Sequence, residues 1–211
     1  MIRVLLVDDH AVVRTGFRLL LQSIGQVSVV AEAESGEDAC RLYSELEPDV
    51  VVMDIAMPGM GGLEALRRMR ARHPQVRVLT LSAHDDPMHA RRCLAEGALG
   101  FLSKRSAPEA LVQAVTVVAS GRRYLDAALA QKLALADFDG ASKSPVERLS
   151  EREFEVFMRL AGGATVQRIA QDLKLSASTV GTHLYNIKQK LGVENQSELT
   201  LIAIRYKLIE A

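Results

Sequence analysis

The first 120 residues alternate five times between short apolar runs and segments whose apolar residues recur at helical spacing. Apolar runs rich in β-branched residues and bounded by Gly, Pro or Asp indicate strands, whereas apolar residues three and four apart indicate helices. Regular strand–helix alternation with short connections predicts a parallel sheet covered by helices on both faces. We therefore expect a five-stranded, doubly wound α/β domain, with strands at residues 2–7, 27–33, 50–53, 76–81 and 98–102.

Four of these runs end in polar residues that a parallel sheet would gather at one edge. Crossover connections put the carboxyl ends of all parallel strands on the same side, where open α/β sheets carry their chemistry. A single Asp after a strand is more often a helix cap or a turn residue, and a single Ser or Lys says less. The expected convergence favours a site, and the residues concerned are Asp8, Asp9, Asp54, Ser82 and Lys104.

This set has the composition of a phosphoryl-transfer site. Three carboxylates in one cleft raise each other's pKa unless a cation lies among them, and hard oxygen ligands suit Mg²⁺. A carboxylate beside a metal ion can act as a nucleophile. Lys104 offers a compact positive charge for a phosphoryl oxygen, and Ser82 offers a hydroxyl donor. The sequence therefore indicates Mg²⁺-assisted transfer of a phosphoryl group onto Asp54.

Three motifs, in this order, carry a resemblance that covers residues 1–120. Together they resemble the receiver domain of two-component response regulators, which has a flavodoxin-like fold. The motifs are Val7-Asp8-Asp9-His10, then Met53-Asp54-Ile55-Ala56-Met57-Pro58-Gly59, then Phe101-Leu102-Ser103-Lys104.

The resemblance implies how the acidic residues are used. Asp54 would accept phosphate from the histidine of a sensor kinase or from a small phosphodonor. Asp9 and Asp54 would ligate Mg²⁺, Asp8 would assist through water, and the carbonyl of Ala56 would complete the metal site.

The resemblance also implies a response to the phosphoryl group. Ser82 would move toward the phosphate, and the aromatic ring of Phe101 would turn inward behind it. Core packing is the alternative role for Phe101. Ala56 and His84 lie where members of this family tune the lifetime of the phosphoryl group.

Residues 121–146 differ in character from the preceding domain. An Ala/Leu-rich stretch near 126–136 has strong helix propensity, and residues 138–145 are small, polar and rich in helix breakers. We interpret 121–146 as a linker that contains one helix, with the domain boundary near 138–146. That helix is either a spacer or a dimer contact, and the sequence does not choose between them.

The last 65 residues are helical in pattern and contain a candidate helix-turn-helix. Ser150 and Glu153 form a capping box that begins one helix, and a short helix, a tight turn and a longer helix follow. On the long helix an apolar stripe predicts the core face, and polar residues occupy the outward face. The stripe is Val180, Leu184, Ile187 and Leu191, and the outward set is Thr179, Gly181, Thr182, Tyr185, Lys188 and Gln189.

Hydroxyl, amide and lysine side chains in this outward set suit contacts with phosphates and base edges in a major groove of double-stranded DNA. The alternative is an ordinary solvated helix face. Residues 147–211 resemble the LuxR/NarL-type DNA-binding module through Leu149 to Glu153, Ile169-Ala170, Ser178-Thr179-Val180 and Lys190 to Val193.

A receiver followed by this module resembles the NarL/FixJ class of response regulators, and within it the GacA/UvrY type. That resemblance implies a DNA-binding transcriptional regulator controlled by a sensor histidine kinase. Gly181 departs from the many members that have Lys or Arg at this position. The module has nine Lys/Arg against eight Asp/Glu, so one copy should bind DNA weakly, and we expect a homodimer, formed on activation, on an inverted repeat.

The overall charge, the cysteines and the lack of long apolar runs indicate where the protein acts and which partners it lacks. The chain has 26 basic and 26 acidic residues, which argues against general polyanion binding. Cys40 and Cys93 lie in predicted helices, so a disulfide framework is not indicated and a reducing compartment is favoured. Because the chain lacks an apolar run of about 20 residues and an evident signal peptide, we expect a cytoplasmic protein without a membrane partner.

Two other functions fit parts of the sequence. An aspartyl-phosphate phosphatase would place a second Asp two residues after its nucleophile on the first strand, but that position after Asp8 is His10. A phosphorelay intermediate would use the helical module to bind a protein. We expect neither, and we expect a phosphoacceptor that is not a multiple-turnover enzyme.

Overall fold

The computed structural model of the chain describes residues 1–23, 25–83, 87–138, 145–173, 175–206 and 208–209. The chain forms two compact units, Met1–Asp139 and Gly140–Ala211. Among the residues described, no helix combines the length and the apolarity that crossing a membrane requires.

The first unit is built on one parallel sheet in the order β2-β1-β3-β4-β5-β6. This confirms the doubly wound α/β class, with one strand more than expected. The added strand, β6, has two residues and pairs with β5 through Gly100 and Phe101, a pairing too short to leave a pattern in the sequence. The strands are β1 Ile2–Val7, β2 Val27–Ala33, β3 Val50–Asp54, β4 Val78–Ser82, β5 Gly100–Ser103 and β6 Tyr124–Leu125.

Helices cover both faces of this sheet because alternate strand residues point to opposite sides. Leu5 and Met53 belong to one apolar cluster, and Leu6 and Val52 belong to the other. The helices are α1 Ala11–Gln22, α2 Gly36–Leu46, α3 Gly62–Arg72, α4 Pro87–Ala95, α5 Pro108–Ala119 and α6 Ala127–Phe138. Buried residues of α1 and α5 join the cluster with Leu6, and those of α2, α3, α4 and α6 join the cluster with Leu5.

Most of the segment expected to be a linker belongs to the first unit. Residues 124–125 extend the sheet, and α6 contacts α4. Leu129 is buried in the apolar cluster that contains Phe101, and the Asp126 carboxylate caps α6 by accepting the Leu129 N–H at 2.9 Å. Tertiary packing therefore anchors the helix near 126–136, while residues 139–144 lie outside the described part of the chain.

The second unit is all-helical. A short 3-10 helix at Pro145–Arg148 precedes α7 Glu151–Ala161, α8 Val166–Asp172, α9 Ala177–Leu191 and α10 Gln196–Arg205. Each α-helix begins at a side chain that accepts a backbone N–H, which satisfies one of the amides left free at a helix start. These caps are Ser150, Thr165, Ser176 and Asn195.

The capping box at the start of α7 also connects that helix to the end of α9. The Glu153 carboxylate accepts the Ser150 N–H at 2.6 Å and the Lys190 ammonium at 2.5 Å. Burial alone would raise the pKa of Glu153, but Lys190 and Ser150 outweigh it and hold that pKa below its usual 4.5. The ion pair therefore joins two helices that are distant in sequence.

Replacement of Gly62 should destabilise the first unit, whereas the same change at Gly16 should stabilise it. A Cβ at Gly62 would lie 2.0 Å from the Asp54 carbonyl oxygen, but at Gly16, inside α1, it would meet no described atom within 4 Å. We expect Gly62→Ala to cost about 1–3 kcal/mol and Gly16→Ala to gain about 0.5–1 kcal/mol. Native-state hydrogen exchange of β1 and β3 amides measures both, and equal effects would contradict the packing described.

Replacement of Glu153 should destabilise the second unit in a pH-dependent way. At pH 7 we expect Glu153→Gln to cost about 1–2 kcal/mol, because the Lys190 ammonium and the Ser150 N–H lose a charged acceptor. The Glu153 pKa is lowered on folding, so its stabilisation is present above the usual pKa of 4.5 and disappears as pH falls through the folded value.

The measurement is urea unfolding followed through NMR signals of second-unit amides, at neutral pH and near pH 3. Asp172→Asn is the matched control, because Asp172 pairs with Arg168 at 3.1 Å on the exposed side of α8 and should contribute below about 0.5 kcal/mol. A pH-independent difference between wild type and Glu153→Gln would show that the carboxylate charge is not what stabilises the unit.

Candidate functional site

The sheet aligns the ends of β1, β3, β4 and β5 at one edge. Val7 is paired with Met53, Asp54 with Leu81, and Ser82 with Ser103. Because the register keeps these strand ends level, the polar residues that follow them meet at the carboxyl edge of the sheet. Asp8, Asp9, Asp54, Ser82 and Lys104 all lie there.

Asp54 is the last residue of β3 and is 2% exposed. One carboxylate oxygen, Oδ1, accepts the Ala56 N–H at 3.1 Å, and Oδ2 accepts the Lys104 ammonium at 2.8 Å. Burial raises the pKa of Asp54, the Asp8 carboxylate adds to this rise, and Lys104 offsets only part of it. The surroundings of Asp54 thus disfavour its ionised form unless a nearby cation compensates the negative charge.

Lys104 bridges the two most buried carboxylates. Its Nζ lies 2.8 Å from Asp54 Oδ2 and 2.6 Å from Asp8 Oδ2, and its backbone N–H donates to the Ser82 carbonyl at 2.7 Å. Burial alone would lower the pKa of Lys104, but the two carboxylates outweigh burial and raise that pKa. The lysine therefore remains a cation and neutralises part of the acidic edge.

Asp8 and Asp9 are adjacent but differ in their surroundings. Asp8 is fully buried, its N–H donates to the Ala33 carbonyl at 3.1 Å, and its Oδ1 accepts the His10 N–H at 2.9 Å. The Asp9 side chain is 23% exposed, with Oδ1 3.0 Å from His10 Nδ1. Asp8 is thus held by several partners, whereas Asp9 faces the opening of the site.

The acidic edge fits a divalent cation. Asp8, Asp9, His10 and Asp54 each offer a ligand atom, and these atoms lie within 4.8 Å of one another. Asp8 Oδ2 and Asp9 Oδ1 are buried acceptors without an aligned hydrogen-bond donor, although Lys104 and His10 lie close to them. Carboxylate oxygens without a hydrogen-bond donor suit a hard cation such as Mg²⁺. The carboxylates of Asp8, Asp9 and Asp54 therefore offer ligands for such an ion.

The remaining residues expected at this site have mixed surroundings. Ser82, the last residue of β4, is 1% exposed. Phe101 is fully buried in the same apolar cluster as Met53, Ala90 and Leu129, so in this conformation it packs in the core. Ala56 contributes its N–H to Asp54. His84, expected to affect phosphoryl lifetime, lies outside the described residues.

Arg14 is a buried residue near this edge that sequence reasoning did not single out. It lies on α1 and is 7% exposed, and its Nη1 donates to the Asp8 carbonyl at 2.5 Å. Its spacing from Phe17 and Leu21 placed it on the inward face of the helix. A charged residue at an inward position was the signal available in the sequence.

The second candidate surface is the outward face of α9. Val180 and Ile187 are fully buried, and Leu184 and Leu191 are partly buried, so the apolar stripe does face the core. Thr179, Thr182, Tyr185 and Gln189 are exposed, whereas Gly181 and Lys188 are partly buried.

The charge available on this face is small. Lys188 Nζ donates to the Glu194 carbonyl at 2.7 Å, and Lys190 is held by Glu153. A Cβ at Gly181 would meet no atom within 4 Å in the described part of the chain, so packing does not require glycine there. The face therefore displays hydroxyl, amide and aromatic groups, with Tyr185 64% exposed.

Comparison with known proteins matches both units. Residues 4–116 match the family described as "Response regulator receiver domain", and residues 147–203 match "Bacterial regulatory proteins, luxR family". The chain is 42% identical over 211 residues to the response regulator GacA of Pseudomonas protegens, which covers 100% of this chain and 99% of that one. It is 40% identical over 212 residues to the response regulator UvrY of Escherichia coli K12, with 100% and 97% covered.

A solved structure with a likeness across both units is RcsB from Salmonella enterica serovar Typhimurium, bound to promoter rprA in the presence of phosphomimetic BeF3-. It has 26% sequence identity and a TM-score of 0.63, and the match covers 95% of this chain and 97% of that one. The two family matches and the full-length relatives confirm the resemblance found in the sequence. The chain belongs to the two-component response regulators in which a receiver domain precedes a LuxR-type DNA-binding domain.

Proposed function

We propose that this response regulator is a transcription factor switched by Mg²⁺-dependent phosphorylation of Asp54. The observation that carries the proposal is the buried Asp54 carboxylate, which shares the Lys104 ammonium with Asp8 at the carboxyl edge of the sheet. A sensor histidine kinase or a small phosphodonor supplies the phosphoryl group. Because the second unit is a LuxR-type DNA-binding domain, DNA is the partner whose binding changes on phosphorylation.

The chemistry is one displacement at phosphorus. A carboxylate oxygen of Asp54 attacks the phosphoryl group, a P–O bond forms, and the P–N bond to the kinase imidazole breaks with the electron pair leaving on nitrogen. Lys104 places its ammonium against a phosphoryl oxygen, and the Ser82 hydroxyl donates to another. When bound by Asp9, Asp54, the Ala56 carbonyl and, through water, Asp8, Mg²⁺ supplies charge neutralisation of the transferring group.

The residues around Asp8 favour a phosphoacceptor over a multiple-turnover enzyme. A phosphatase that used Asp8 as its nucleophile would place a second Asp two residues later, where this chain has His10. The phosphoryl group on Asp54 is instead kept as a signal until hydrolysis removes it.

DNA binding then follows from dimerisation. The outward face of α9 brings few free charges, so one unit gains little electrostatic affinity. Phosphorylation shifts the population toward a homodimer, and the two α9 helices of that homodimer bind the two halves of an inverted repeat. The structure of RcsB bound to promoter rprA in the presence of phosphomimetic BeF3- supports DNA binding by the phosphorylated form. A cytoplasmic location, where a sensor kinase and DNA both reach the protein, goes with this function.

Removal of the acceptor carboxylate should abolish the switch. With an acyl phosphate and Mg²⁺, we expect wild type to gain one phosphoryl group by mass spectrometry, to dimerise, and to bind selected genomic fragments at least about tenfold more tightly. Asp54→Asn should show none of these, and chelation of Mg²⁺ should prevent them in wild type.

Asp38→Asn is the matched control, because it removes an exposed carboxylate on α2 that pairs with Arg41. It should behave as wild type. Phosphodonor-dependent dimerisation or DNA binding by Asp54→Asn would contradict the proposal.

Truncation of Tyr185 should weaken DNA binding without affecting phosphorylation. Because this side chain is exposed on the outward face of α9, we expect Tyr185→Ala to cost about 1–3 kcal/mol of binding free energy, measured by fluorescence anisotropy on a selected fragment. Tyr185→Phe keeps the ring and separates the hydroxyl contribution. If phosphorylated wild type binds a protein but no DNA, the phosphorelay function replaces this one.

A further inference from the structure

Arg14 is a buried cation that contacts one backbone carbonyl at the acidic edge and two carboxylates from β2 and the residue that follows it. Its Nη1 donates to the Asp8 carbonyl at 2.5 Å, and its Nη2 donates to Glu34 Oε1 at 2.5 Å. Its Nε lies 3.5 Å from Glu32 Oε2. A buried guanidinium requires such compensation, because removing it from water is costly.

The partners of Arg14 tie α1 to β2. Glu32 lies within β2, and Glu34 directly follows its last residue. The planar guanidinium fork can reach a carbonyl and a carboxylate at the same time, which a lysine ammonium at the end of a flexible chain does less well. Arg14 therefore fixes the Asp8 carbonyl relative to β2.

The Asp8 carbonyl matters because it belongs to the peptide that joins Asp8 to Asp9. That peptide is planar, so holding its oxygen fixes the direction in which the chain enters Asp9. The other polar atoms of Asp8 are held by Ala33, His10 and Lys104. The Asp9 side chain remains partly exposed and its Oδ1 has no aligned hydrogen-bond donor.

We propose that Arg14 is a positioning residue, which sets the Asp8–Asp9 peptide so that the Asp9 carboxylate points into the cation site, and which thereby determines Mg²⁺ affinity. The inference rests on the proposed function, because it takes the acidic edge to be the Mg²⁺ site. Outer partners that orient metal ligands typically change metal affinity by about 10–100-fold when removed.

The test compares three variants of the full chain with wild type. Arg14→Gln removes the guanidinium, Glu34→Gln weakens its exposed anchor and leaves Arg14 in place, and Arg18→Gln is the matched control. Arg18 lies one helical turn after Arg14 and pairs with the same Glu32 at 3.4 Å, but its side chain is 42% exposed. Mg²⁺ affinity is measured by calorimetry, and hydrogen exchange of the Asp9 and His10 amides is measured on the metal-free protein.

We expect Arg14→Gln to weaken Mg²⁺ binding by about 10-fold or more and to speed exchange of both amides, with β3 amides still protected. Glu34→Gln should shift both readouts in the same direction by a smaller factor and keeps the test decisive if Arg14→Gln does not fold. Arg18→Gln should match wild type.

Unchanged Mg²⁺ affinity and unchanged amide exchange in folded Arg14→Gln and Glu34→Gln would overturn the positioning role and leave the proposed function standing. An equal loss in Arg18→Gln would also overturn it, because a general loss of positive charge on α1 would then explain the effect. Failure of wild type to bind Mg²⁺ would overturn the Mg²⁺-dependent function and the inference together.

Discussion

The acidic edge depends on the position of one ammonium between two buried carboxylates. Asp8 and Asp54 end neighbouring parallel strands, so the sheet brings them together whether or not their charges favour it. Lys104 follows β5, two strands away from β3, and its Nζ lies within 2.8 Å of both. Burial and like charge still raise the pKa of Asp54, so the lysine compensates this edge only in part. That residual imbalance is the feature on which the proposed cation site depends.

The helical unit also contains a buried carboxylate, but there the negative charge is compensated by neighbouring groups. Glu153 is buried at the start of α7, where the capping box and Lys190 compensate it. In this ion pair Glu153 offsets the charge of Lys190, which would otherwise add positive charge near the outward face of α9. The Glu153–Lys190 ion pair therefore stabilises the unit and at the same time offsets the charge of one lysine of α9.

Local patterns in the sequence carried the prediction of the sheet and of the acidic edge, because short apolar runs followed by polar residues are local signals. The crossover topology then fixes where Asp54 and Asp8 lie. What could not be predicted depended on distant partners. The two-residue strand β6 exists because Tyr124 and Leu125 meet β5, and α6 joins the first unit because Leu129 reaches the cluster of Phe101. The ion pair between Lys190 and Glu153 could not be predicted either, since the two residues are 37 positions apart. The inward position of Arg14 was visible in the sequence, but its contact with the acidic edge was not, because its acceptor there is the Asp8 backbone carbonyl, which has no sequence signature.

In the proposed function, the incomplete compensation at the edge is what would let phosphorylation act as a switch. A phosphoryl group carries roughly −1.5 to −2 charges and strong acceptor oxygens, and on Asp54 it would replace the single negative charge of a carboxylate that burial already disfavours. Lys104 is shared with Asp8 and cannot offset the added charge alone. In the proposed function, a cation held by Asp9 and a new donor, the Ser82 hydroxyl at the end of β4, would meet this added charge. Ser82 and Phe101 lie on adjacent strands of the sheet, and Phe101 shares its apolar cluster with Leu129 of α6. The apolar cluster of Phe101 therefore joins β5 to α6, the helix that precedes the DNA-binding unit in the chain.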